Sequence, residues 1–121
     1  MSDFVAVRLY GTTAADGSLT VTSNEAHFGE VYAVQTVDGT LDDGVDLVLT
    51  SENADYSIPI LTKANFNTDA MYYPRTVANQ VSDGAASTAY DVKPLCCGVL
   101  KMVIAQGGNA KSGGVVVYIE K

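Results

Sequence analysis

Few residues in this chain could do chemistry, and their spacing limits what they could do. The sole histidine, His27, stands beside Phe28 just ahead of Gly29. A hydrolase needs a nucleophile, a base and an orienting group within reach, and His27 would have to be that base. No GxSxG elbow, HExxH helix or phosphate-cradling GxxxxGK[ST] loop accompanies it. The two cysteines, Cys96 and Cys97, are neighbours, so on a strand their side chains diverge. Their Cα atoms, about 3.8 Å apart, are closer than an ordinary disulfide spans. They read as reduced small hydrophobes, and one histidine with two cysteines is too few for a zinc site. Asp38, Asp42, Asp43 and Asp46 form an acidic loop, but they miss the alternating ligands and central glycine of an EF-hand. Paired carboxylates such as Asp42 and Asp43 read as a solvated loop. The glycine-rich run 107–114 contains Lys111 but lies between two strands, without the following helix that would hold phosphate. The expectation is a protein that is not an enzyme and has neither cofactor nor metal.

What remains is a surface able to grip a partner. Phe66, Met71, Tyr72, Tyr73 and Arg75 crowd into an irregular segment around Pro74. Tyrosine and arginine anchor interfaces because each brings large area, a polar end and low entropy cost. These five residues are the candidate interface. The competing reading folds the segment back over an open end of the domain.

Those residues need a frame, and period-2 alternation supplies one. Residues 3–10 set Phe4, Ala6, Arg8 and Tyr10 against Val5, Val7 and Leu9. Further runs at 18–23, 30–37, 45–50, 56–62 and 88–92 alternate or are rich in β-branched residues. Asp38-Gly39 suggests that 30–37 and 45–50 form a hairpin. Pro59 cannot donate a ladder hydrogen bond, which places 56–62 at an edge or on a bulge. The longest apolar stretch lies at the end. Leu100, Met102 and Ile104, with Val115, Val117 and Ile119 after the glycines, are expected inside, as a hairpin at the centre of a β-sandwich. Residues 64–87 have room for at most one helical turn. About eight strands and no run of helical period give an all-β fold: a single β-sandwich domain over 1–121, jelly-roll-like in size.

Composition narrows the partners. The chain has 121 residues, enough to bury a core without disulfides, and 14 acidic against 7 basic residues leave a formal charge of −7. That charge repels phosphate backbones, and the scattered basic residues form no patch, so nucleic acid is not expected. No run of about 18 apolar residues suggests a membrane helix, and Met1-Ser2-Asp3 lacks the flank of a signal peptide; a cytosolic origin is expected.

The apolar run 99–108, then Lys111-Ser112-Gly113 and 115–120, preceded by Tyr72-Tyr73-Pro74-Arg75, resembles small acidic β-proteins encoded among the head genes of tailed bacteriophages. The likeness covers roughly the last half of the chain and rests on general pattern. It implies a virion structural protein of jelly-roll or sandwich fold: a capsid decoration or cement protein that binds the major capsid protein on the outside of the shell as a homotrimer or homodimer. Some decoration proteins reach across capsomers with a longer N-terminal arm; only Met1-Ser2-Asp3 precedes the first strand here, so that mode of binding is not expected. Two other readings stand beside this one. A tail or head-tail connector subunit would also be small and β-rich. A carbohydrate-binding sandwich would use Tyr72 and Tyr73 as a sugar platform, although the chain has no tryptophan.

Overall fold

The computed structural model describes residues 3–121 and contains eight strands; the Met1-Ser2 of the N-terminal reading lies outside the described residues. The strands are β1 (Phe4–Thr12), β2 (Leu19–Thr22), β3 (His27–Val37), β4 (Asp46–Glu52), β5 (Ser57–Lys63), β6 (Ala70–Tyr72), β7 (Leu95–Ala105) and β8 (Ser112–Glu120). No helix forms among the described residues. Every pairing is antiparallel. One four-stranded layer runs β1-β8-β3-β6 and the other β2-β7-β4-β5. That order is the jelly roll, in which successive strands mostly alternate between the two sheets. The layers merge at one end, where residues 27–30 of β3 pair with 95–98 of β7.

The alternation read from sequence fixes which side chains go in. Leu100, Met102 and Ile104 of β7, and Val115, Val117 and Ile119 of β8, are completely buried as expected. Leu9, Val31 and Val34 join them from the first sheet, and Leu47, Leu49 and Ile60 from the second. Burying each such side chain is worth about 1.5–3 kcal/mol. Pro59 also stands as predicted: β5 pairs only with β4, at a sheet edge, and the register slips opposite Pro59, between Leu49 and Thr50.

Strand partners differ from the sequence reading. β7 and β8 do not form a hairpin; they belong to different layers, and their apolar stripes face each other across the core. Each is apolar because it is central in its own sheet. Likewise β3 and β4 do not pair, because the loop between them crosses from one sheet to the other and buries Leu41 and Val45 on the way. Residues 88–92 form no strand; a bridge between Thr76 and Val92 is all that orders them as sheet, and the sixth strand is the short β6 instead. β3 also begins three residues earlier than expected, at His27, since its first residues find a partner in the start of β7.

Gly98 makes that junction possible. At this residue β7 leaves β3 and takes up β4, with φ at 138°, and a Cβ there would overlap the Glu52 carbonyl oxygen. Such a backbone is open to glycine and strained for any other residue.

Candidate functional site

Phe66 leaves the candidate interface first. It is 1% exposed, its amide donates to the Val45 carbonyl at 3.0 Å, and it caps the core where the loop after β5 closes over it. The rule that sequence reasoning could not apply is directional: an aromatic residue in an irregular segment can point inward as easily as outward. Tyr72 also turns inward, because it pairs with the fully buried Val34 on β3, and it is half-buried. Met71, its neighbour on β6, pairs with Gln35 and faces solvent.

The remaining three candidates, Met71, Tyr73 and Arg75, do come together, on the outer face of the first sheet. There they meet residues that the sequence reading had not singled out. Phe4 from β1, Tyr32 from β3 and Tyr118 from β8 line, with Ala33, Met71 and Tyr73, a shallow apolar hollow of about 240 Å³. Phe4, Tyr32, Met71 and Tyr73 remain 52%, 39%, 43% and 57% exposed. The Tyr32 ring is the hub. Phe4 and Tyr73 meet it edge-on, at centroid distances of 5.4 and 5.8 Å with interplanar angles of 74° and 86°. Edge-to-face pairs of this kind hold ring orientation more firmly than burial alone would.

A bulge explains how Tyr32 gets there. The register against β8 shifts between Val31 and Ala33, so Tyr32 is an extra residue pushed outward while Val31 and Val34 stay in the core. The signal for Phe4 was available: it shares the outward set of the first strand with Arg8 and Tyr10. No local pattern announces Tyr32, because an extra residue breaks the alternation.

Two cations border the hollow. Arg75 Nη1 donates to the Tyr32 carbonyl at 3.1 Å and to the Pro74 carbonyl at 2.7 Å, and its guanidinium lies 5.6 Å from the Tyr32 ring centroid. Lys93 Nζ is also 5.6 Å from that centroid and pairs with Glu120 Oε1 at 2.5 Å, the one ion pair among the described residues. The hydrogen bond to Glu120 raises the Lys93 pKa above its usual value. Arg75 thus has no carboxylate of its own among the described residues.

The other residues with chemical potential are dispersed. His27 lines a cleft of about 450 Å³ between the facing edges of β1 and β2, together with Arg8, Asn24 and Glu25. Cys96 is buried, with its Sγ 3.4 Å from the His27 carbonyl oxygen and 3.8 Å from Ser51 Oγ; burial raises its thiol pKa. Cys97 is half-buried on the opposite side, and both cysteines are free. The acidic loop is tied into the backbone: the Asp38 amide donates to Asp69 Oδ1 and the Asn65 amide to Asp46 Oδ1. Among the described residues no group of three or more His, Cys, Asp or Glu side chains is placed to hold a metal ion. No helix among them is long and apolar enough to cross a membrane.

Fold and face together define a jelly-roll domain with an exposed aromatic surface rimmed by cations. No protein-family model matches the chain, and no curated protein matches it at a significant level.

Proposed function

We propose that this is a virion structural protein without catalytic activity: a capsid decoration or cement protein that sits on the outer surface of a phage head, bound to the major capsid protein, and associates with further copies of itself as a trimer or dimer. The supporting observation is the aromatic face, where Phe4, Tyr32, Met71 and Tyr73 stay exposed although each could have been a polar residue at no cost to the core. A contiguous apolar surface rimmed by polar groups marks a protein interface. The ring geometry argues against the sugar-platform reading. A sugar stacks on an open ring face, whereas these rings stand edge to face and the Tyr32 ring already has two cations over it. The likeness to phage head proteins supplies the shell as the partner.

The test is to mix the purified protein with shells that lack it and to measure occupancy by sedimentation and electron microscopy. The Tyr73→Ala, Arg75→Ala double variant should stay folded and lose at least about 2 kcal/mol of binding, roughly 30-fold in affinity. Density at the tail or the connector instead of the head surface would refute the decoration reading, whereas full occupancy by the double variant would move the interface away from the aromatic face.

A further inference from the structure

Between β6 and β7 the chain leaves the sandwich. Residues 76–92 form a narrow arm held by its own backbone: Thr76 and Val92 exchange amide hydrogen bonds, the Ala78 amide donates to the Ala89 carbonyl, and the Gln80 amide donates to the Ala85 carbonyl. Isolated bridges join Thr76 to Val92 and Asn79 to Ala86. The tip carries Val81, which is fully exposed, and Asp83, whose Oδ1 accepts from the Ala85 amide and shapes the turn. Tyr90 is 71% exposed on the returning side. The arm contains two aspartates, Asp83 and Asp91, and no lysine or arginine.

An unsupported hairpin of this kind is marginal in water, and a fully exposed valine at its tip gains nothing there. Both features are accounted for if the tip has a receptor. The only charges on the arm are negative, and the hollow on the first sheet combines an apolar floor with an arginine that lacks a carboxylate. We propose that the arm of one copy docks on the aromatic face of a second copy, with Val81 entering the hollow between Phe4, Tyr32 and Tyr73 and Asp83 meeting Arg75. Within its own copy the arm, rooted beside Arg75 and Lys93, does not cover the hollow: Val81 is fully exposed, and Phe4, Tyr32, Met71 and Tyr73 stay open. Each copy gives one arm and receives one, so the contact is satisfied throughout only in a closed ring, of which a dimer or trimer is the smallest.

This assignment rests on reading the aromatic face as a protein-binding surface, and it names the occupant; the shell would then meet the assembled ring. The test uses the full chain in solution without shells, by analytical ultracentrifugation at low and moderate salt. A closed dimer or trimer is expected, weakened by added salt. Asp83→Arg and Val81→Asp, both at the exposed tip, should each weaken assembly at least tenfold while leaving the melting temperature of the sandwich unchanged. Arg75→Asp should weaken assembly as much, at some cost in melting temperature from its lost bonds to the Tyr32 and Pro74 carbonyls, and the Asp83→Arg, Arg75→Asp double variant should regain assembly, which a merely structural role for either residue would not produce. A wild type that is monomeric at tens of micromolar overturns the proposal, and so does an oligomer indifferent to both tip variants. A monomer that still decorates shells would leave the decoration reading standing and sink this one; a ring that ignores every shell would do the reverse.

Discussion

Ile104→Ala measures how far the inner stripe of β7 holds the two sheets together. Ile104 is fully buried, flanked by Leu19 on β2 and Leu47 on β4, while the next residue along, Val103, looks outward between Thr20 and Val48. Truncation removes three carbons, a transfer loss of about 2.4 kcal/mol at about 0.8 per methylene. With strands on both sides the site collapses little, and a residual cavity of about 50 Å³ adds about 1.2 kcal/mol. The total, about 3.6 kcal/mol, should lower Tm by about 14 K, because a chain of 121 residues has an unfolding entropy near 0.25 kcal/mol per K. Val103→Ala, on the solvent side of the same strand, should cost less than about 1 kcal/mol. Urea unfolding followed by far-UV circular dichroism compares the two variants at equal slope. If they came within about 0.5 kcal/mol of each other, the inside–outside assignment of β7 would be wrong, and with it the facing stripes of the core.

Gly98→Ala should destabilise by about 2 kcal/mol or more, since it imposes a side chain on a strained backbone and against the Glu52 carbonyl; urea titration would show it, and a neutral result would mean that β7 does not switch sheets there. In the native protein a small alkylating agent should modify Cys97 and spare Cys96 until the fold opens, because Cys96 is enclosed and burial keeps its thiol protonated; mass spectrometry with and without denaturant reads this, and equal labelling would contradict the burial. Asp38 has its pKa raised by desolvation first and then by Asp43 and Asp69, and its Oδ1 is buried with no hydrogen-bond partner among the described residues. Its ionised form therefore costs the native state stability above the folded pKa, and that cost fades as pH falls through the folded pKa toward the unfolded one. Asp38→Asn should accordingly be more stable than wild type at neutral pH and lose that advantage in acid; a pH-independent difference in Tm would refute the assignment.

Much of this molecule could be read along the chain. Period-2 alternation gave seven of the eight strands and their inner faces, missing only β6 and placing one at 88–92 that does not form, so Leu100, Met102, Ile104, Val115, Val117 and Ile119 were legible as core, and the missing amide of Pro59 was enough to place β5 at an edge. These are local facts: a side chain's direction in a strand depends on its neighbours alone. Partnership is not local. Asp38-Gly39 and the glycines of 107–114 permit a tight reversal or a crossing between sheets equally well, and the crossing prevails because it lets β3, β4, β7 and β8 each lie between two neighbours over a shared core. The candidate face divided along the same line. Tyrosines and an arginine near residue 73 could be seen in the sequence, but Phe66 and Tyr72 turned inward, and Phe4 and Tyr32 joined the face from strands far away in sequence. Only the tertiary structure could assemble that surface, because residues 4, 32, 73 and 118 become neighbours through the pairing of β1, β8, β3 and β6, and the outward turn of Tyr32 depends on a bulge set by its partner strand.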